Sequence, residues 1–150
     1  MDKMSKEPFG REYLAIAASD HEVLSAYGAR VKKMLTSESP EYLEKQIADI
    51  KLLLNQKLVD HFAFEEQHIF PALLVANPGE STSRLVSALQ EDHKSLLVEV
   101  RRLNEMLSDQ KLVSDRGGEL RKAILDFFEN LQDHASQEDE LFRALADTAT

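Results

Sequence analysis

The chain has 150 residues, a formal net charge of −9 at pH 7 and no cysteine. This length is sufficient for one domain with its own hydrophobic core, and the lack of cysteine excludes disulfides and thiolate metal ligands. Because the acidic residues are spread along the chain, the charge disfavours binding to nucleic acid or to an anionic membrane surface. Any metal must be held by His, Asp and Glu, a ligand set that suits iron, manganese or zinc.

The sequence contains no segment that indicates secretion or membrane insertion. Residues 1–9 carry charges and a proline instead of the apolar run of a signal peptide. No later stretch approaches the roughly 20 apolar residues of a membrane-spanning helix. We therefore expect a cytoplasmic protein that does not interact with a membrane.

Apolar residues spaced three and four apart predict four amphipathic helices, over residues 11–35, 40–76, 83–108 and 115–146. Ser-Pro at residues 39–40 and Pro78 with its neighbours separate the first three helices. Pro71 is expected to kink the second helix or to loosen its last turn. Four helices with short loops and no strand pattern favour an all-α, antiparallel up-down four-helix bundle, formed as a single domain over residues 1–150.

A histidine interrupts the apolar stripe of every predicted helix: the four are His21, His61, His93 and His134. Glu65 and Glu138 lie one turn after the second and fourth of these, on the same inward face. At about 1.5 Å per residue, the positions along the helices place all four imidazoles at a similar depth in one core. A buried unpaired polar group costs about 1–3 kcal/mol. We therefore expect these six side chains to bind metal.

The number of these side chains favours a pair of metal ions. A single histidine on a core stripe is usually a hydrogen-bonded core residue, but four at one level together with two carboxylates are difficult to explain in that way. Six such ligands are too many for one tetrahedral zinc ion and fit two six-coordinate ions that share carboxylate bridges. A ferritin-like centre is disfavoured because Glu65 to His68 is the only Glu-x-x-His motif.

Other polar residues near these motifs have weaker assignments. Glu66 and Asp139 lie about 100° further round their helices and are predicted to face solvent. His68 lies on the predicted inward stripe and is a possible additional ligand, although Leu141 occupies the matching position of the fourth helix. The aspartates that directly precede the four histidines are expected at the surface, or in contact with a histidine of a neighbouring helix. They are Asp20, Asp60, Asp92 and Asp133.

Over nearly its whole length the chain resembles the hemerythrin-like family, the His-His-Glu cation-binding domains. The matching residues are His21, His61-x-x-x-Glu65, Glu91-Asp92-His93 and His134-x-x-x-Glu138. The resemblance implies a bundle that holds a non-haem di-iron centre, with Glu65 and Glu138 bridging the two iron ions and an oxo or hydroxo group between them. Hemerythrins that carry oxygen have a second histidine one turn after the first on the third helix, where this chain has Leu97.

A centre with fewer histidines keeps open or water-filled iron positions, which favour redox chemistry or sensing over reversible oxygen carriage. We therefore expect a non-haem di-iron protein that reacts with or senses oxygen, nitric oxide or peroxide, or handles iron. The alternatives are a reversible oxygen-binding or storage protein and a metal-free or zinc-containing helical interaction module. The expected partner is a small diatomic or peroxide ligand. The sequence identifies no protein partner and leaves open whether the protein is an enzyme.

Overall fold

The computed structural model describes residues 11–36, 41–114 and 118–149. Its helices are α1 (Arg11–Thr36), α2 (residues 41–76), α3 (Glu80–Leu107), α4 (Gln110–Ser114) and α5 (Glu119–Ala149). Within these described ranges every regular element is helical, which confirms the predicted all-α class. None of the described helices has an apolar stretch long enough to cross a membrane.

The four long helices lie close to their predicted ranges. The largest difference is at the start of the fourth, because the preceding residues form the short separate helix α4 and α5 begins only at Glu119. Three predicted features lie outside the described residues: the segment 1–9, the break at residues 37–40 and the predicted helix start at residue 115.

Helix α2 is continuous but contains two π-helical turns, which the apolar pattern did not predict. Its α-helical parts are Glu41–Leu52, Leu58–Phe64 and Phe70–Ala76, and its π-helical parts are Leu53–Lys57 and Glu65–Ile69. The second π turn ends at Ile69, two residues before Pro71, which has no N–H to donate to the carbonyl of Gln67. The helix is therefore loosened just before Pro71 and not at its last turn.

The second π turn changes which side chains of α2 point inward. A π turn accommodates one extra residue, so the side chains after it are rotated relative to an uninterrupted α-helix. Glu65 is buried at the start of this turn, and the next buried residues are Ile69 and Phe70. His68, which the regular stripe placed inward, is exposed.

The hydrophobic core has two parts, separated by a layer of polar side chains. The larger cluster includes Leu24, Leu58, Leu96 and Leu131. The smaller cluster includes Ala17, Ile69, Leu89 and Phe142. Each long helix contributes to both clusters. On α1, α3 and α5 the histidine lies between the two contributions, and on α2 Glu65 lies between them, because Phe62 of the larger cluster follows His61. On α1, for example, buried His21 lies between Ala17 and Leu24.

Side-chain contacts connect each long helix to two others. Gly28 of α1 permits a close approach to α5, because a Cβ atom there would lie only 3.2 Å from Cδ1 of Phe128. Four contacts away from the polar layer show these connections, one for each pair of neighbouring helices. They are Tyr13 with His68 between α1 and α2, Asn55 with Asn104 between α2 and α3, Glu99 with Asn130 between α3 and α5, and Arg121 with the Leu35 carbonyl between α5 and α1.

Replacement of Leu54 by alanine should strongly destabilise the fold. Leu54 is 0 % exposed in the larger cluster, and the cavity left by Leu54→Ala should reduce the free energy of unfolding by about 2–5 kcal/mol. Leu52→Ala is the matched control, because Leu52 is 48 % exposed and its loss should change stability by only about 0.5 kcal/mol. Urea unfolding of both variants measures the difference. Equal losses would contradict the orientation of α2.

Candidate metal centre

The six side chains predicted to bind metal lie together in the polar layer. They form two overlapping groups, in each of which the four potential ligand atoms are within 4.8 Å of one another. The first group consists of His21, His61, Glu65 and Glu138, and the second of His93, His134, Glu65 and Glu138. Both glutamates therefore belong to both groups, and each pair of histidines belongs to one.

The carboxylate of Glu65 lies between the two histidine pairs. Its Oε2 atom is 3.2 Å from Nε2 of His21 and 3.3 Å from Nε2 of His61. Its Oε1 atom is 3.1 Å from Nε2 of His93. One oxygen is thus directed to each side, as a carboxylate that bridges two metal ions requires.

Glu138 repeats this arrangement from the opposite helix. Its Oε1 atom is 3.1 Å from Nε2 of His21. Its Oε2 atom is 3.3 Å from Nε2 of His93 and 3.1 Å from Nε2 of His134. The two glutamates therefore present four oxygen atoms to four imidazole nitrogen atoms in a space closed to solvent, since each glutamate is 0 % exposed.

Four polar atoms of this layer make no hydrogen bond with any described residue: Nε2 of His61, Nε2 of His134, Oε1 of Glu65 and Oε1 of Glu138. Each of these atoms lies within 3.3 Å of an oxygen or nitrogen atom of the layer, but the angles at the two atoms do not allow a hydrogen bond. Leaving a buried polar group unpaired costs about 1–3 kcal/mol. Cations placed between the nitrogen and oxygen atoms would remove this cost, and imidazole with carboxylate is a donor set that iron, manganese and zinc accept. The residues present therefore fit a metal centre.

A second set of carboxylates contacts the outer nitrogen, Nδ1, of each histidine. The distances are 2.7 Å from Asp139 to His21, 2.9 Å from Asp20 to His61, 3.1 Å from Glu66 to His93 and 3.3 Å from Asp92 to His134. An ionised carboxylate can only accept, so each Nδ1 donates its proton outward. The Nε2 atom of each ring is then the one directed to the centre.

The prediction for Glu66 and Asp139 was incomplete. Their side chains are 41 % and 39 % exposed, in agreement with the expected solvent-facing position. Their carboxylates nevertheless reach an imidazole of the neighbouring helix. The signal in the sequence was that an acidic residue directly follows each inward glutamate, Glu65 and Glu138.

The structure does not bring His68 to the centre. Its ring is exposed, stacks on Tyr13 at 5.1 Å and lies 5.2 Å from the ring of Phe64. Leu97, the position of the additional histidine in oxygen carriers, packs against the larger hydrophobic cluster. All five histidines of the chain are described, so four histidines and no fifth surround the two glutamates.

The charges of the centre change the pKa values of its side chains. Burial lowers the pKa of His21, but the nearby carboxylates of Glu138 and Glu65 outweigh burial and raise that pKa to about 11. For His93 and His61, too, burial lowers the pKa and the nearby carboxylates outweigh it, so that the pKa of His93 is raised to about 10 and that of His61 is also raised. Burial alone would raise the pKa of each glutamate, but the histidines outweigh it and lower both values. A metal ion must therefore displace protons from the imidazoles.

The two halves of the centre differ in their aromatic surroundings. Phe62 stacks on His93 with the ring centres 4.0 Å apart, and Phe70 lies 5.5 Å from the same ring. Phe62 directly follows His61, and the residue that directly follows His134 on α5 is Ala135. The His93 imidazole is therefore covered by two rings, and no equivalent of Phe62 comes from α5.

Two surface clefts extend to the outer sides of the histidines. A cleft of about 340 Å³ between α1 and α2 is lined by Asp20, Phe64 and His61 among others. A cleft of about 240 Å³ between α3 and α5 is lined by Asp92 and His134 among others. Each cleft thus reaches one histidine and the aspartate that contacts it, and the two glutamates lie deeper, closed to solvent.

Comparison with known protein families supports the assignment made from the motifs. The family model described as the hemerythrin HHE cation binding domain matches residues 14–146. This range contains the six side chains of the centre and the four outer carboxylates. The resemblance noted from the sequence is therefore confirmed. Comparisons with curated proteins and with solved structures give no match.

Removal of either shared glutamate should reduce the metal content. In Glu65→Ala or Glu138→Ala both groups lose a carboxylate, so we expect the loss of at least one metal ion per chain. Elemental analysis after expression in iron-replete medium measures this content. Glu140→Ala is the matched control, because Glu140 is exposed two residues beyond Glu138. Glu66→Ala is unsuitable as a neutral control, since Glu66 contacts His93.

Unchanged metal content in both Glu65→Ala and Glu138→Ala would contradict the assignment of these carboxylates. Loss of metal in Glu140→Ala alone would place the metal on the surface and not in the polar layer.

Metal should stabilise the protein more at about pH 8 than at about pH 6, because fewer protons then compete for the imidazoles. In the metal-free protein, the raised pKa of His21 contributes stability that is complete below the ordinary value of 6.5 and is lost as the pH rises toward about 11. The lowered pKa of Glu65 contributes stability above its ordinary value of 4.5. Thermal melting of metal-loaded and chelated protein measures the difference in Tm. A difference that shrinks as the pH rises would show that metal does not replace protons at this centre.

Proposed function

This chain belongs to the hemerythrin HHE cation-binding domain family, and from that premise we propose that it is a non-haem di-iron protein. We propose that it reacts with or senses oxygen, nitric oxide or peroxide, or handles iron. The observation that carries the proposal is the pair of overlapping ligand groups that share Glu65 and Glu138. Two groups with common carboxylates are what a pair of bridged ions requires.

The proposed assignment gives each iron two imidazoles. His21 and His61 would hold one ion and His93 and His134 would hold the other, and Glu65 and Glu138 would be shared by both, together with an oxo or hydroxo group. Each group offers four protein ligand atoms, so a six-coordinate ion held there would still have positions for a small ligand. When bound, the iron pair supplies one-electron redox chemistry and a place for a diatomic or peroxide ligand.

An antiparallel up-down bundle, formed as one domain, is the proposed arrangement of the four long helices. The order of the contacts supports it. On α2 and α3, Asn55 contacts Asn104 and Glu66 contacts His93, so higher residue numbers on one helix meet lower numbers on the other. The same order holds for the contacts of α1 with α2, of α3 with α5 and of α5 with α1.

The protein's own residues would control access to the ion pair and its stability. The two apolar clusters close the polar layer from both ends, which excludes bulk water and strengthens the attraction between the carboxylates and the cations. The outer carboxylates hold a proton on each Nδ1. A ligand of a few atoms would enter from the side of His61 or His134, where the two clefts bring solvent nearest to the centre.

Redox chemistry or sensing is favoured over oxygen storage because the centre has no fifth histidine. Leu97 is half-buried against the larger cluster and supplies no ligand atom. Each group therefore offers the same number of protein ligand atoms. Among the described residues, neither group has an additional ligand that would leave only the other ion with open positions.

Anaerobic reduction of the iron-loaded protein, followed by exposure to air, should separate the proposed activity from the alternatives. We expect about two irons per chain and rapid oxidation, which is measured by absorbance. A stable oxygenated spectrum would support reversible oxygen binding instead, and protein that takes up no iron would support the helical interaction module. Glu140→Ala should behave as the unmodified protein, and Glu65→Ala should lose the absorbance of a bridged iron pair.

A further inference from the structure

The four outer hydrogen bonds form a closed ring around the centre. In each, a carboxylate on one long helix accepts a hydrogen bond from Nδ1 of the histidine on the next. The sequence of contacts is Asp20 of α1 to His61 of α2, Glu66 of α2 to His93 of α3, Asp92 of α3 to His134 of α5, and Asp139 of α5 to His21 of α1. Every long helix therefore supplies one accepting carboxylate and one donating histidine to the ring.

Each carboxylate of the ring is the sequence neighbour of a residue that points into the centre. Asp20 directly precedes His21, and Glu66 directly follows Glu65. Neighbours on an α-helix differ by about 100° in direction. One turn of helix can therefore direct one side chain to the centre and the adjacent side chain to the imidazole of the next helix. On each long helix, one turn thus supplies one side chain to the centre and one to the ring, and His61 and His134 come from the turns before those of Glu65 and Glu138.

We propose that Asp20, Glu66, Asp92 and Asp139 are positioning residues that set the metal affinity of the centre. Each fixes the proton on Nδ1 and the orientation of one imidazole, so that Nε2 is ready to bind an ion. This inference rests on the proposed metal-binding function. It assigns to four partly exposed acidic residues a task that a surface position alone would not indicate.

Their exposure argues against a mainly structural role. Asp20 is 42 % exposed and Asp92 is 49 % exposed, so each carboxylate keeps much of its hydration and solvent screens its attraction to the imidazole. The histidines that they contact are each buried. A carboxylate that accepts from a ligating imidazole raises the basicity of that ligand and typically changes metal affinity by about 10–100-fold. The main effect of the ring should therefore be on metal binding.

The chain contains its own controls for this inference. Asp60 and Asp133 also directly precede a histidine, in the same Asp-His dipeptide as Asp20 and Asp92. Both are exposed, and neither hydrogen-bonds an imidazole among the described residues. Replacement of any of these aspartates removes one negative charge near the centre, but only replacement of Asp20 or Asp92 removes a bond of the ring.

Titration of the chelated protein with Co²⁺, in competition with a chromophoric chelator, tests the proposal. Asp20→Ala and Asp92→Ala should weaken Co²⁺ binding by about 10–100-fold and shift the visible Co²⁺ bands. Asp20→Asn and Asp92→Asn should give intermediate affinities, because an amide oxygen still accepts from Nδ1 but carries no charge. Asp60→Ala and Asp133→Ala should bind Co²⁺ as the unmodified protein does, with unchanged bands.

The outcomes separate this inference from the proposed function. Unmodified protein that takes up no Co²⁺ would overturn both. Normal binding by the unmodified protein with equal affinities for Asp20→Ala and Asp60→Ala would overturn the ring alone. Equal losses in Asp20→Asn and Asp20→Ala would show an effect of charge and not of position, which also overturns it. If Asp20→Ala does not fold, comparison of Asp20→Asn with Asp60→Asn decides.

Discussion

The structure depends on the burial of two carboxylates in the middle of an otherwise apolar core. Glu65 and Glu138 are closed to solvent, and a bare carboxylate in such a place is strongly unfavourable. Four imidazoles surround the pair and can compensate its charge in one of two ways, either as imidazolium ions or as ligands of bound cations. The two apolar clusters, the positions of the four histidines and the outer carboxylates are all arranged around this requirement. Stability and metal chemistry therefore share the same side chains.

The centre is made by using one helix pair twice. His21 and His61 of the first pair correspond to His93 and His134 of the second, and each pair adds one shared glutamate and two outer carboxylates. The copies are not identical, because α2 contains a π turn that begins at Glu65 and because aromatic rings cover the His93 side. Two equivalent ligand sets thus lie in different surroundings, which gives the protein a means of making two bound ions inequivalent.

Much of the site could be predicted because inward polar residues violate a regular apolar pattern. His21 and His93 each replace a core residue on an uninterrupted helix, so the period of the helix alone placed them correctly. His68 was placed wrongly for a physical reason, since the π turn before Pro71 rotates it out to solvent. Glu66 shows the other limit. The outward direction of its side chain was predicted. Its contact with His93 depends on the distance between two helices, and the residue pattern of a single helix does not give that distance.

The sequence by itself determined the helical class, the inward position of six polar residues and the kind of atoms that they offer to a metal, because these follow from spacing along single helices and from the identity of the side chains. Only the tertiary structure decided that Glu65 and Glu138 each turn one carboxylate oxygen to the first histidine pair and the other oxygen to the second. It also decided which aspartates contact a histidine. Asp20 and Asp60 have the same local sequence, yet only Asp20 meets an imidazole, because that contact is made across the interface between two helices.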